Sequence, residues 1–117
     1  MVQSIYAKGA AQHLHPVPNA AKHRGILVTS GVLGKAPQTG EYAETTADQI
    51  RLAFDQLLLI LAESSAQAQD VVKVDLYFTD RQDRNVANEH WTRIWPDPSR
   101  RPARQAHQDS LPGHCRS

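Results

Sequence analysis

The stretch from Thr46 to Ala62 constrains this chain more than any other part of it. Ile50, Phe54, Leu57, Leu58 and Leu61 recur at the spacing of one helical face. Asp48, Gln49, Arg51, Asp55, Gln56 and Glu63 fall mostly elsewhere. Thr45 or Thr46 can serve as N-cap, and Thr46-Ala47-Asp48-Gln49 has the form of a capping box. Ser64-Ser65 begins the exit. A large apolar side chain gains roughly 1.5–3 kcal/mol on burial, so a helix with this stripe must lie on an apolar surface. The segment that follows offers one. Val72, Val74, Leu76 and Phe78 alternate with Val71, Lys73, Asp75 and Tyr77. That is the period-two pattern of a strand with one apolar and one mixed face.

The rest of the chain continues this alternation of elements. A second helix is expected from Asp83 to Ile94, with Val86, Ala87, Trp91 and Ile94 on one face; Trp95-Pro96-Asp97-Pro98 ends it. Ala103 to Gln108 reads as a further strand and Leu111-Pro112-Gly113 as a turn. Upstream, Ser4-Ile5-Tyr6-Ala7 reads as a short edge strand. His13-Leu14-His15-Pro16-Val17-Pro18 cannot be helical, because each proline also holds its predecessor extended. Ile26 to Ser30, bounded by Gly25 and Gly31, reads as a strand buried on both faces. Ala36-Pro37-Gln38-Thr39-Gly40 is a turn. The expected order is strand, strand, helix, strand, helix, strand. Two strand–helix–strand crossovers imply a small α+β domain with both helices on one face of the sheet.

A chain of 117 residues is one domain, long enough to bury about two-thirds of its unfolded surface without a metal or disulfide staple. Its net charge of +1 lacks the basic stripe of a nucleic-acid-binding protein. The single cysteine, Cys115, has no internal partner, which fits a reducing, cytoplasmic compartment. Met1-Val2-Gln3-Ser4 opens no signal peptide, and the apolar run Leu57–Ala62 is too short to span a bilayer.

Few residues offer chemistry. His13 and His15 alternate, yet no cysteine or carboxylate joins them at ligand spacing, so neither a metal nor a cofactor is expected. Gly31-Val32-Leu33-Gly34 is no phosphate loop, since no Lys-Ser/Thr follows it. Ser30 has no nucleophile elbow and Cys115 no assured base. The tract Arg101-Pro102-Ala103-Arg104-Gln105 stands out. An arginine at a strand start is a permanently charged fork that matches a carboxylate.

An ordered set of short elements carries a resemblance. It comprises Pro18-Asn19-Ala20, Gly25 to Val28 leading to Ser30-Gly31, and Pro37-Gln38-Thr39-Gly40. Gln49-Ile50 with Leu57, Asp70-Val71-Val72-Lys73-Val74, Thr79-Asp80, Asn88-Glu89 and Arg101-Pro102-Ala103-Arg104 complete it. Together they resemble the Rid (YjgF-type) family of reactive-intermediate enamine/imine deaminases, over nearly the whole chain from about Pro16. The resemblance implies a chorismate-mutase-like α+β fold, a mixed sheet with two helices on one face. It also implies a homotrimer with a site in each cleft between subunits. By the same resemblance, Arg104 corresponds to the arginine that holds the substrate carboxylate, Gly31 lines the pocket, and Ala106 stands where relatives have a small residue or cysteine. Asn88 corresponds to a structural asparagine.

Two departures bear on activity. Deaminating members carry a tyrosine in an N-terminal Pro-Tyr-Ser-Gln element, where this chain has Pro16-Val17-Pro18-Asn19. After the leucine-proline turn, relatives continue into a strand bearing a glutamate thought to activate water. Here Gly113-His114-Cys115-Arg116-Ser117 follows, and the expectation is that this strand is absent. The readings are therefore a deaminase of small enamine or imine carboxylates, with weak activity; a non-catalytic trimer that binds a small carboxylate; and, less favoured, a ribonuclease or translation inhibitor.

Overall fold

Thr45, not Thr46, starts the long helix. In the computed structural model, which describes residues 1–108, α1 spans Thr46–Glu63 and the Thr45 Oγ1 accepts the Asp48 N–H at 3.1 Å. The box expected between Thr46 and Gln49 gives way because Gln49 Nε2 donates to the Ala43 carbonyl at 2.9 Å. Phe54 and Leu61 are buried along α1, as the periodicity requires, with Ile60 buried in addition and Ile50, Leu57 and Leu58 half-buried. Gln56 corrects the expected polar face, for it is buried with them. Its Oε1 accepts the Ala11 N–H at 2.6 Å, and its Nε2 donates to the carbonyls of Leu33 at 3.1 Å and Lys35 at 2.6 Å. One amide satisfies three loop backbone groups that would otherwise be buried without partners.

The N-terminal part is a three-stranded antiparallel sheet of β1 (Gln3–Ile5), β2 (Ala20–His23) and β3 (Ile26–Thr29). β2 is an addition to the expected order; Ala20-Ala21-Lys22-His23 carries no β-branched or aromatic side chain. Its hairpin closes on Arg24 and Gly25, both at positive φ (49° and 78°), the primed geometry that matches the twist of flanking strands. The hairpin also corrects the burial expected of β3. Ile26 and Val28 are 67% and 63% exposed, while Leu27 and Thr29 are half-buried. This strand has one covered face, not two.

The C-terminal part is a strand–helix–strand unit: β4 (Lys73–Phe78), α2 (Asp83–Ile94) and β5 (Ala103–Gln108). β4 and β5 run parallel, in register from Lys73 opposite Ala103 to Phe78 opposite Gln108. Val71 and Val72 precede β4 instead of extending it, and Val72 is exposed. The expected turn at Leu111-Pro112-Gly113, and Asp109, His114, Cys115 and Ser117, lie outside the described residues.

The mixed sheet therefore comes in two pieces. Among the described residues β3 bonds only to β2 and β4 only to β5. Each piece has its own core. Phe54, Phe78, Ala87, Trp91 and Trp95 form one cluster under β4 and β5; Ala7, Ala10, Ala20 and Ile60 form the other beside β1 to β3. Between β3 and β4 lies a slot of about 1320 Å³, walled by the two strands and floored by Ala53, Phe54, Leu57 and Leu61 of α1.

Candidate functional site

Three arginines crowd the approach to β5, and the fold gives each a different task. Arg100 closes the short 3-10 turn Pro98–Arg100, which Asp97 caps by accepting the Ser99 N–H at 2.9 Å. Arg101 is tied to the backbone: its Nε donates to the Trp95 carbonyl at 2.8 Å and its Nη2 to the Pro96 carbonyl at 3.3 Å. Arg104 makes no ion pair and no side-chain hydrogen bond among the described residues. In the parallel register it stands beside Val74, so it projects to the helix side of the sheet. There its guanidinium carbon lies 5.1 Å from the centre of the Trp91 ring. Burial, and after it the charge of Arg84, lowers its pKa, yet a guanidinium stays charged at neutral pH. The guanidinium is thus a half-buried cation held on an indole, with its donors uncommitted among the described residues.

Two partners of Arg104 were legible only in part. Trp91 reads in the sequence as core, and so it is, at 7% exposure. Its second task as a platform follows from α2 facing β5. Arg84 lies seven residues before Trp91, two helical turns, and so on the same side. That spacing was the available signal.

The other residues singled out by sequence lie apart. Ala106 is two positions beyond Arg104 on the same side of β5, exposed, and borders a small recess of about 90 Å³ with Arg81 and Arg84. Gly31 follows β3 and lines the slot on the far side of β4; nothing lies within 4 Å of where its Cβ would stand. Within one chain Gly31 and Arg104 therefore border different spaces. Asn88 sits on the exposed side of α2, where its carbonyl accepts from Thr92 Oγ1 at 3.0 Å. Ser30 is committed to structure: its Oγ donates to the Pro18 carbonyl at 2.7 Å and its N–H to the Asn19 carbonyl at 2.9 Å.

The face of β4 and β5 turned away from the helices carries the mixed set. His107 Nε2 lies 3.1 Å from Asp75 Oδ1 and its ring stacks on Tyr77, with centroids 4.5 Å apart. The hydrogen bond to His107, with smaller help from Lys73, holds the Asp75 carboxyl below its ordinary range. Among the described residues no group of three or more histidine, cysteine or carboxylate side chains is placed to hold a metal. No helix there is long and apolar enough to cross a membrane.

This chain matches the family model described as endoribonuclease L-PSP over residues 9–111. It is 34% identical over 105 residues to "Reactive Intermediate Deaminase A, chloroplastic" of Arabidopsis thaliana, which covers 89% of this chain and 55% of that protein. The chain thus spans just over half the length of that relative. A "RutC family protein" of Aquifex aeolicus is 33% identical over 89 residues, 76% of this chain and 71% of the relative. The crystal structure of RidA from an Antarctic Psychrobacter superposes with a TM-score of 0.86 at 30% identity, covering 95% of this chain and 89% of that one.

Proposed function

The chain belongs to the Rid family, and from that membership we propose that it hydrolyses small enamine or imine carboxylates in clefts between the subunits of a homotrimer, with Arg104 as the carboxylate clamp. The observation that carries this reading is the uncommitted guanidinium of Arg104, stacked on Trp91 and half withdrawn from water. The reaction asks little else of a protein. Water adds to the imine carbon, the nitrogen takes up a proton, and cleavage of the C–N bond releases ammonia and leaves a 2-oxo acid. Fixing the carboxylate orients the imine carbon for attack, and Coulomb attraction in a partly desolvated site strengthens the hold. No cofactor enters this scheme.

The trimer belongs to the same reading. Ile26, Val28 and Tyr77 lie exposed on the sheet face away from the helices, among Lys73 and Asp75, and such a surface calls for cover. A cleft between copies would also join the Gly31 loop of one to Arg104 and Ala106 of the next, which a single chain keeps apart. A cytoplasmic location is proposed with it, although the Arabidopsis relative is named as chloroplastic.

A second reading, a carboxylate-binding trimer without chemistry, is favoured by one observation. No carboxylate among the described residues pairs with Arg104 or stands bonded beside it to position water. A ribonuclease, the activity in the family model's description, fits less well with a net charge of +1. Ammonia release from a freshly generated 2-imino acid separates these readings. The deaminase reading expects weak, saturable release that Arg104→Ala removes; binding of the 2-oxo acid without release would favour the second.

A further inference from the structure

Beyond Arg104, two further arginines stand over the far end of β5. Arg81 precedes α2 and Arg84 lies in its first turn; both are exposed. With Ala106 they line the recess of about 90 Å³, beside Phe78 and Gln108, the last residues of the two parallel strands. That is the carboxyl end of a strand–helix–strand unit, the end at which open parallel sheets hold ligands. No ion pair joins Arg81, Arg84 or Arg104 to a carboxylate among the described residues. After burial, the charge of Arg84 is what depresses the Arg104 pKa, so the two cations feel one another. Like charges gathered without a counter-ion repel, and a concave surface lined by one sign of charge concentrates the opposite sign. One water needs about 10–15 Å³ of such space, so the recess admits a carboxylate.

We propose, resting on the clamp role of Arg104, that the ligand carries two carboxylates: Arg104 takes the one beside the imine carbon, and Arg84, with Arg81, takes the other in the recess. Imines of short dicarboxylic acids are then the favoured substrates, and the matching 2-oxo diacids the products. The spacing asks for a short chain. Ala106, at the recess, lies two positions from Arg104 on the same side of β5, about 6.6 Å along the strand. The carboxyl carbons of an extended five-carbon diacid stand about 5 Å apart, and the arginine side chains cover the remainder. The short side chain of Ala106 leaves the path between them open. Each guanidinium presents a fork that matches a carboxylate. An apolar tail of equal length would displace water from two cations and return no hydrogen bond.

Calorimetric titration of the full 117-residue chain compares 2-oxoglutarate with 2-oxopentanoate, which has the same carbon skeleton length and lacks the second carboxylate. Expected is binding of the diacid at least about tenfold tighter, the scale of one charged hydrogen bond. Arg84→Ala should bring the ratio of the two affinities close to one, and alanine in an exposed helical turn keeps the fold. Arg100→Ala removes an equal charge outside the recess and should leave the ratio as in wild type. Equal affinities in wild type would overturn the proposal, as would a ratio that survives Arg84→Ala or falls equally with Arg100→Ala. The clamp is read separately: where it holds, Arg104→Ala weakens both acids whatever their ratio. Should 2-oxopentanoate bind wild type and Arg104→Ala alike, the clamp and the two-carboxylate proposal fall together.

Discussion

The two halves of this domain hold themselves together by different means. Around β4, α2 and β5 the core is aromatic: Trp91 and Trp95 meet with ring centres 4.6 Å apart, Phe54 and Phe78 pack on them, and Trp95 Nε1 donates to the Ala68 carbonyl at 2.8 Å. Around β1 to β3 the buried side chains are mainly alanines, and two buried amides replace bulk. Asn19 Oδ1 accepts from the N–H of Ala7 at 2.9 Å and from Gln12 Nε2 at 3.0 Å, while its Nδ2 donates to Ala11 at 3.2 Å. Gln56 pins two loop segments from inside α1, one at Ala11 and one at Leu33 and Lys35. Large apolar surfaces stabilise one half by area; directed hydrogen bonds specify the other, where an irregular chain leaves backbone groups to satisfy.

The contrast can be broken by substitution. The largest effect is expected from Trp91→Ala, at about 3–5 kcal/mol in urea unfolding, since it empties the centre of the aromatic cluster and removes the platform of Arg104. Next comes Gln56→Ala, at about 2–3 kcal/mol, because three backbone groups lose their partner. Gln56→Leu should fare no better, although it restores apolar bulk. If leucine proved neutral there, the N-terminal half would be held by packing after all. Gly34→Ala follows, at about 1–3 kcal/mol. A Cβ there would stand 2.6 Å from the Gln49 carbonyl oxygen, so the loop would have to lift from α1.

The smallest effect concerns pH. Asp75 has a depressed pKa, so its contribution is complete above the ordinary aspartate value of 3.8 and is lost as pH falls below it. Wild type should therefore lose slightly more stability than Asp75→Asn on acidification through that range. Parallel curves for the two proteins would mean that the exposed contact to His107 is energetically silent.

The same division explains what the sequence made legible. Asp83–Ile94 falls where periodicity placed it and Lys73–Phe78 lies within the segment it marked, because Trp91, Ile94, Leu76 and Phe78 are bulky enough to mark a face. β2 was missed because alanines and Lys22 mark none, though the Arg24-Gly25 pair was a turn signal. Gln56 was misread because a buried glutamine looks polar in any periodicity; its three partners are 21 to 45 residues away in sequence. Arg104 stood out among its neighbours by resemblance alone. Its distinction from Arg101 became physical only once Arg101 was seen bonded to Trp95 and Pro96.

That distinction offers the most direct test of the account, which is that Arg104 is held free to clamp a carboxylate while Arg101 braces the turn. Calorimetric titration with pyruvate, a short 2-oxo acid, compares wild type, Arg104→Ala and Arg101→Ala. Loss of a charged hydrogen bond worth about 1.5–3 kcal/mol should weaken binding to Arg104→Ala roughly 10- to 150-fold. Arg101→Ala should bind within about twofold of wild type but unfold at lower urea concentration. Equal affinity of wild type and Arg104→Ala for pyruvate would contradict the account.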